Sequence, residues 1–232
     1  MIELNQVSKS YTTHPQALSD ITFAVERGKF VFLIGPSGSG KTTLLKLLYA
    51  AERPTHGEIR VNGFNLARLK GREIPRLRRS LGIVFQDFKL FPNRTLFENV
   101  AFALEVLGAD KREIFKKTAQ ALQWVGLERK GNCFPDQVAA GEQQRVAIAR
   151  AVVNEPQLVL ADEPTGNMDP RTAEDMLRYF EEINSRGATV IWATHNERLL
   201  DLFPRERIVL EQGRIVENSM GKADVAGSLV PE

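Results

Sequence analysis

One octapeptide constrains this chain more than any other feature. Gly35, Pro36, Ser37, Gly38, Ser39, Gly40, Lys41 and Thr42 fit the pattern G-x-x-x-x-G-K-S/T. The pattern requires a strand before it and a helix after it. Phe30 to Ile34 is a continuous β-prone apolar run, which reads as a buried strand of a largely parallel sheet. Lys41 to Ala50 is rich in Leu and free of Gly and Pro, which reads as a helix. Between them the glycines let the backbone curl until successive N–H groups converge on phosphate oxygens. The helix adds its positive N-terminal end. Nucleotide binding is the expectation. Lys41 would bridge the β- and γ-phosphates, the Thr42 hydroxyl would ligate Mg²⁺, and Thr43 would reach the α-phosphate.

A second apolar strand ends in two carboxylates. Leu158, Val159, Leu160 and Ala161 run into Asp162 and Glu163. Phosphoryl transfer to water needs a cation clamp and an oriented nucleophile. Asp162 is placed to hold the Mg²⁺ shell. Glu163 is placed to face the γ-phosphate and polarise the attacking water. Alone, such a pair before Pro164 reads equally well as an exposed turn; beside a phosphate loop, catalysis is the stronger reading.

The rest of the chain alternates between two periodicities. Ile2, Leu4 and Val7, then Ile21, Phe23 and Val25, argue strands. Strand-like pieces follow at 58–61, 81–85, 157–161, 188–194, 207–210 and 214–216. From about Leu96 to Val125 apolar residues fall at helical spacing, at Val100, Ala103, Leu104 and Leu107 and again at Ile114, Ala121, Leu122 and Val125. Strands alternating with helices mean an α/β fold, and the helical middle reads as a lobe inserted into it. Asn218 to Glu232 lacks periodicity and reads as a mobile tail.

The 31 basic and 29 acidic residues leave a net charge of +2, which demands neither nucleic acid nor an anionic membrane surface. The single cysteine, Cys133, cannot close an intrachain disulfide and fits a reducing compartment. No apolar run approaches the roughly 20 residues of a membrane span, and the N-terminus lacks a signal-peptide pattern. A soluble, cytoplasmic chain is expected.

Five further features, taken in order, carry a family resemblance over nearly the whole chain. Tyr11 follows the first strand. Gln86 follows Gly82, Ile83, Val84 and Phe85. Val138, Ala139, Ala140, Gly141 and Glu142 precede Gln143, Gln144 and Arg145. Asp169 closes Gly166, Asn167 and Met168. His195 ends the run Val190, Ile191, Trp192, Ala193 and Thr194. With the phosphate loop and the carboxylate pair, this series resembles the ABC ATPases.

The resemblance implies a P-loop, RecA-like core over 1–86 and 156–217, with an N-terminal antiparallel β subdomain and a helical lobe over about 87–155. Residues 218–232 form the tail. It implies an ATPase that uses ATP and Mg²⁺. Tyr11 would stack on adenine, beside Gly35 to Thr43 on the phosphates. Glu163, His195 and Gln86 would be catalytic, and Thr42, Gln86 and Asp162 would hold the metal. It also implies a head-to-tail homodimer in which Ala139, Ala140, Gly141, Glu142 and Asp169 reach the ATP of the partner subunit. An integral membrane subunit would receive the motion at the inner face of a bacterial membrane.

The wording around Gln86, from Phe85 to Thr95, is similar to the branch of the family that works in cell division, coupled to control of cell-wall hydrolases. Lipoprotein-release and macrolide-export ATPases share much of it and remain the alternative. A chromosome-type ATPase would need a long coiled coil, and no sustained heptads occur. A kinase would have no use for a signature sequence.

One departure stands out. The family's Leu-Ser-Gly-Gly signature is here Val138, Ala139, Ala140 and Gly141. Ala139 lacks the hydroxyl that reaches the γ-phosphate, so weaker closure and slow basal hydrolysis are expected. Ala140 is tolerable if its φ is negative. Phe88, Leu90, Phe91, Phe97 and Phe102 are expected mostly in the lobe's core, with one or two at the rim of a groove for the membrane subunit.

Overall fold

The computed structural model of the chain describes residues 1–166, 168–196 and 198–220. In chain order the elements are β1 (Ile2–Tyr11), β2 (His14–Val25), β3 (Phe30–Ile34), α1 (Lys41–Leu48), β4 (His56–Val61), β5 (Phe64–Asn65), α2 (Ile74–Arg79), β6 (Leu81–Val84), α3 (Leu96–Glu105), α4 (Lys111–Trp124), α5 (Ala140–Val152), β7 (Leu158–Asp162), α6 (Pro170–Ser185), β8 (Thr189–Thr194), α7 (Arg198–Leu202), β9 (Glu206–Glu211) and β10 (Arg214–Asn218). They gather into two compact units. One is Met1–Arg78 with the chain from Ala193 onward; the other is Arg79–Trp192.

In the first unit β1 pairs antiparallel with β2, Leu4 opposite Phe23, and with β4, Leu4 opposite Ile59. The inward side chains of all three strands (Ile2, Leu4, Phe23, Val25, Ile59, Val61) are buried, which is the half-covered pattern that period two announces. β3 differs, because all five of its residues are buried. It runs parallel to β9, Leu33 opposite Ile208, and β9 turns back antiparallel into β10. α1 begins directly after the phosphate loop and buries Leu44, Leu45, Leu47 and Leu48. The chain stays tied down past the expected start of the tail. β10 includes Asn218, and the Ser219 hydroxyl accepts from the Arg207 amide at 2.7 Å. The remainder of the expected tail, 221–232, lies outside the described residues.

In the second unit β6 and β7 run parallel, Val84 opposite Ala161, and β8 flanks β7. α3, α4 and α5 close around one apolar cluster that includes Leu96, Val100 and Leu104, Leu122 and Val125, and Val146 and Ala149. Val100, Leu104, Leu122 and Val125 are among the helically spaced residues of the sequence, Ala103, Ile114 and Ala121 pack half-buried against them, and Leu107, beyond the end of α3, is 42% exposed; the burial is what stabilises the helices. Caps fix where the helices begin. Thr95 Oγ1 accepts from the Glu98 amide at 3.2 Å while the Glu98 carboxylate accepts from the Thr95 amide at 2.7 Å, a reciprocal capping box. Asp110 accepts from the Arg112 and Glu113 amides, each at 2.9 Å.

The aromatic run after Gln86 lies at the margin of the lobe's core, with Leu90 and Phe97 packed half-buried against its apolar cluster. None of Phe88, Leu90, Phe91, Phe97 and Phe102 is buried. Phe91 stacks edge-on against Phe102 at 4.9 Å, and the Arg94 guanidinium covers both rings. Phe97 meets Phe115, which is 67% exposed. The loop leading into α3 is organised by Asn99. It is wholly buried on α3, accepts from the Phe91 amide at 2.7 Å and donates to the carbonyls of Phe91, Arg94 and Thr95 at 3.1, 3.0 and 3.0 Å. Asn99 thus holds the loop backbone from Phe91 to Thr95, and of the five residues Phe91 alone is exposed, at 39%.

Replacing Asn99 by the similarly shaped Leu leaves the Phe91 amide and the loop carbonyls without this partner. Urea unfolding of Asn99→Leu is expected to show a loss of about 2–4 kcal/mol. A loss under about 0.5 kcal/mol, the ordinary range of surface changes, would mean the loop is held by something else.

Candidate functional site

The phosphate loop leaves a strand that is buried throughout and must turn at once. A Cβ on Gly35 would lie 2.1 Å from the Leu210 carbonyl oxygen and 2.6 Å from Ser39 Oγ, so no larger residue fits. Gly40, the residue before α1, has φ 107°, and a Cβ there would lie 2.8 Å from both the Ala17 carbonyl oxygen and Leu18 Cδ2. Pro36, Ser37 and Gly38 form the exposed rim, whereas Ser39 is buried and its Oγ has no hydrogen-bond partner among the described residues. Lys41 is 6% exposed, and its ammonium donates to the carbonyls of Gly35 and Pro36 at 2.7 and 3.0 Å. The cation therefore lies over the loop. Thr42 is exposed and Thr43 half-buried in the first turn of α1.

Tyr11 ends β1 in the same unit. Its ring carries the Lys9 ammonium 4.7 Å from the centroid. Lys9 is itself held by the Glu52 carboxylate at 2.8 Å and the Arg53 carbonyl at 2.9 Å, just beyond α1. His195, also in this unit, is exposed immediately after β8. The turn that follows it is closed by Thr194 Oγ1, which accepts from the Asn196 amide at 3.0 Å.

In the second unit Asp162 ends β7, and Glu163 adopts φ 46°. A left-handed conformation in a residue with a Cβ costs about 1–3 kcal/mol. It is stabilised by the Gly166 amide, which donates to the Glu163 carbonyl at 3.1 Å. Gly166 also marks a meeting point: the place its Cβ would take is 3.6 Å from Gln86 Nε2 and 3.6 Å from Glu163 Cβ. Gln86 and Glu163, distant in sequence, thus come together within this unit.

The altered signature sits at the start of α5. Ala139 is the N-cap, with φ −64° and ψ 155°, and offers no side-chain acceptor. Only half of a capping box remains, in which the Glu142 carboxylate accepts from the Ala139 amide at 3.2 Å. Ala140 has helical, negative φ, so the side chain in place of glycine is not strained. Glu142 is gripped by Lys130 at 2.7 Å, which holds its pKa below the ordinary value, helped by the Ala139 amide and Arg145. Asp169 caps α6 and accepts from the Thr172 amide at 3.1 Å and the Thr172 hydroxyl at 2.5 Å. These bonds hold its carboxyl below the usual range.

Sequence reasoning passed over Lys130, Asn99 and Arg150. Arg150, on α5, donates to the carbonyls of Phe88 and Lys89 at 2.7 and 2.6 Å. Asn99 carried a signal, since it is a polar residue on the buried stripe of a capped helix. Lys130 and Arg150 carried none, because their partners lie 12 and more than 60 residues away.

Three comparisons bear on this site. Residues 18–166 match the model of the ABC transporter family. The chain is 49% identical over 218 residues to the cell division ATP-binding protein FtsE of Bacillus subtilis, covering 94% of this chain and 96% of that protein. It is 47% identical over 215 residues to the protein of the same name from Escherichia coli, covering 93% and 97%. Among solved structures it resembles a dimeric post-hydrolysis ATP-binding cassette, MJ0796, bound to ADP and phosphate. That match has a TM-score of 0.86 and 34% identity, and covers 94% and 97% of the two chains.

The Glu142 contacts yield a pH dependence. A carboxyl whose folded pKa lies below its unfolded value near 4.5 adds stability above that value. The contribution disappears as pH falls through the folded pKa. The stability gap between wild type and Glu142→Gln, measured by urea unfolding, should hold near neutral pH and close on acidification. A gap unchanged by acid would show that the carboxylate charge is not what Lys130 stabilises.

Proposed function

We propose a mechanism from one premise: the chain belongs to the ABC transporter family. It is an ATP-binding, ATP-hydrolysing protein of the FtsE kind, acting in cell division. The observation that carries this reading is similarity at 47–49% identity along almost the full length of the cell division proteins. A role in lipoprotein release or macrolide export is not favoured by those relatives.

In our reading Gly35 to Thr43 wrap the phosphates of ATP, and the Lys41 ammonium exchanges its loop carbonyls for β- and γ-phosphate oxygens. Tyr11 stacks on adenine with Lys9 on one side of the ring. Glu163 orients and polarises the water that attacks the γ-phosphorus, giving ADP and phosphate. Gln86 and His195 flank that water and the γ-phosphate. Among the described residues no group of three or more His, Cys, Asp or Glu could cage a metal. Thr42, Gln86 and Asp162 instead offer separate hard oxygens, a set that suits Mg²⁺ because it retains waters and takes phosphate oxygens. When bound, the ion would neutralise charge on those oxygens.

The chain works as a pair, as the dimeric cassette does. We assign the head-to-tail arrangement, in which Ala139, Ala140, Gly141, Glu142 and Asp169 of each subunit face the ATP of the other. Among the described residues no helix is long and apolar enough to cross a membrane. We propose that attachment to the inner face of a bacterial membrane comes through an integral partner, FtsX-like, meeting the exposed aromatic rim at Phe91.

Glu163→Gln tests the mechanism. Phosphate release should fall by about 100-fold or more, and light scattering should show a dimer only with ATP and Mg²⁺. A variant that hydrolyses ATP at the wild-type rate sinks the assignment of Glu163.

Ala139→Ser tests the altered signature. A serine at this N-cap completes the capping box, so the subunit alone should gain about 1 kcal/mol on unfolding without nucleotide. If its hydroxyl also reaches the partner's γ-phosphate, ATP-driven pairing should tighten by about tenfold or more beyond that gain. Unchanged pairing and unchanged ATPase rate would mean that the N–H groups at the start of α5 already suffice.

A further inference from the structure

The turn after Gln86 is built in an expensive way. Phe88 and Lys89, neither a glycine, adopt φ 58° and 48° in succession. Bulky residues rarely take the left-handed region, and two in a row require an external hold. Arg150 supplies it. Its Nη2 donates to the Phe88 carbonyl at 2.7 Å and its Nη1 to the Lys89 carbonyl at 2.6 Å. A planar guanidinium bonding two successive carbonyls fixes the tilt of both peptide planes.

The cation is a costly choice for packing. Desolvation lowers the Arg150 pKa to about 10, and among the described residues no carboxylate pairs with it. A Met or Leu would fill the same space on α5 without desolvating a charge. The two carbonyls it holds belong to residues two and three places after Gln86, whose amide borders Gly166, as Glu163 does. Arg150 stands on the helix whose first residues are the altered signature.

We propose that Arg150 is a positioning residue for Gln86. By locking the left-handed pair at Phe88 and Lys89 it sets where Gln86 stands relative to Glu163. It also ties that placement to the helix that carries the signature. The proposal rests on the ATPase reading above and deepens it.

The test is a double-mutant cycle on the full chain, with Gln86→Ala, Arg150→Lys and the two combined. Lys keeps the charge and the stem but cannot fork across two carbonyls. Steady-state ATPase, ATP affinity and thermal unfolding are read for each. Arg150→Lys should lower kcat by about 10- to 100-fold while ATP affinity stays within about twofold, since the phosphate loop is untouched. The double variant should be no slower than Gln86→Ala alone, because Arg150 acts through Gln86.

Hydrogen exchange at Phe88 and Lys89 should accelerate in Arg150→Lys, and Arg150→Gln should behave likewise. A wild-type kcat in Arg150→Lys overturns the proposal, and so do losses that multiply in the double variant. If neither Arg150 variant folds, the residue is structural and the proposal fails. An inert wild type would sink the functional reading as well, whereas an active wild type with multiplying losses sinks the Arg150 proposal alone.

Discussion

A strand that is covered on both faces has to deliver its chain to an anion without leaving backbone groups unpaired. β3 meets that demand by pairing its ladder with β9 up to Ile34 and then ending. From Gly35 the amides are released from the sheet and become available for phosphate. The Leu210 carbonyl, from the strand beside β3, presses so close to Gly35 that the turn admits only glycine. The same β9 that completes the ladder thereby shapes the loop, and Lys41 is buried where its charge is answered by the Gly35 and Pro36 carbonyls. Position, shape and charge of the proposed phosphate site all depend on where β3 stops.

Around the carboxylates the structure uses strain rather than glycine. Glu163, Phe88 and Lys89 all occupy the left-handed region, and each is held by an identifiable bond: the Gly166 amide for Glu163, the Arg150 guanidinium for the other two. Such conformations persist only where the surroundings over-determine them, which is why they gather at sites that need fixed geometry. Asn99 extends the arrangement by holding the loop from Phe91 to Thr95 through its backbone. The segment following Gln86 is therefore ordered from two helices, α3 and α5, with no strand ladder of its own.

The alanine at position 139 changes the start of α5 in two separable ways. It removes a hydroxyl that could face outward, and it removes the acceptor that would cap the helix. Glu142 keeps its half of the cap and leans on Lys130 for the rest of its stabilisation. Ala140 follows the helix without strain. The altered signature thus preserves the helix and its glutamate while giving up a side-chain cap.

Most of the architecture was legible in the chain alone, for a physical reason. Buried strands, half-covered strands and amphipathic helices differ in period, so β3, β1 and the α3–α4 pair could be read from spacing. The strand, glycine-rich turn and helix over 30–48 and the strand ending at Asp162 were legible because their residues are contiguous. Three things were decided by tertiary structure. Gln86 and Glu163 both border Gly166. Asn99 on α3 holds the loop backbone at Phe91, Arg94 and Thr95. Arg150 reaches Phe88 and Lys89 from another helix. Each depends on a contact between residues far apart in sequence. A half-buried cation's partners exist only when the chain has closed on itself.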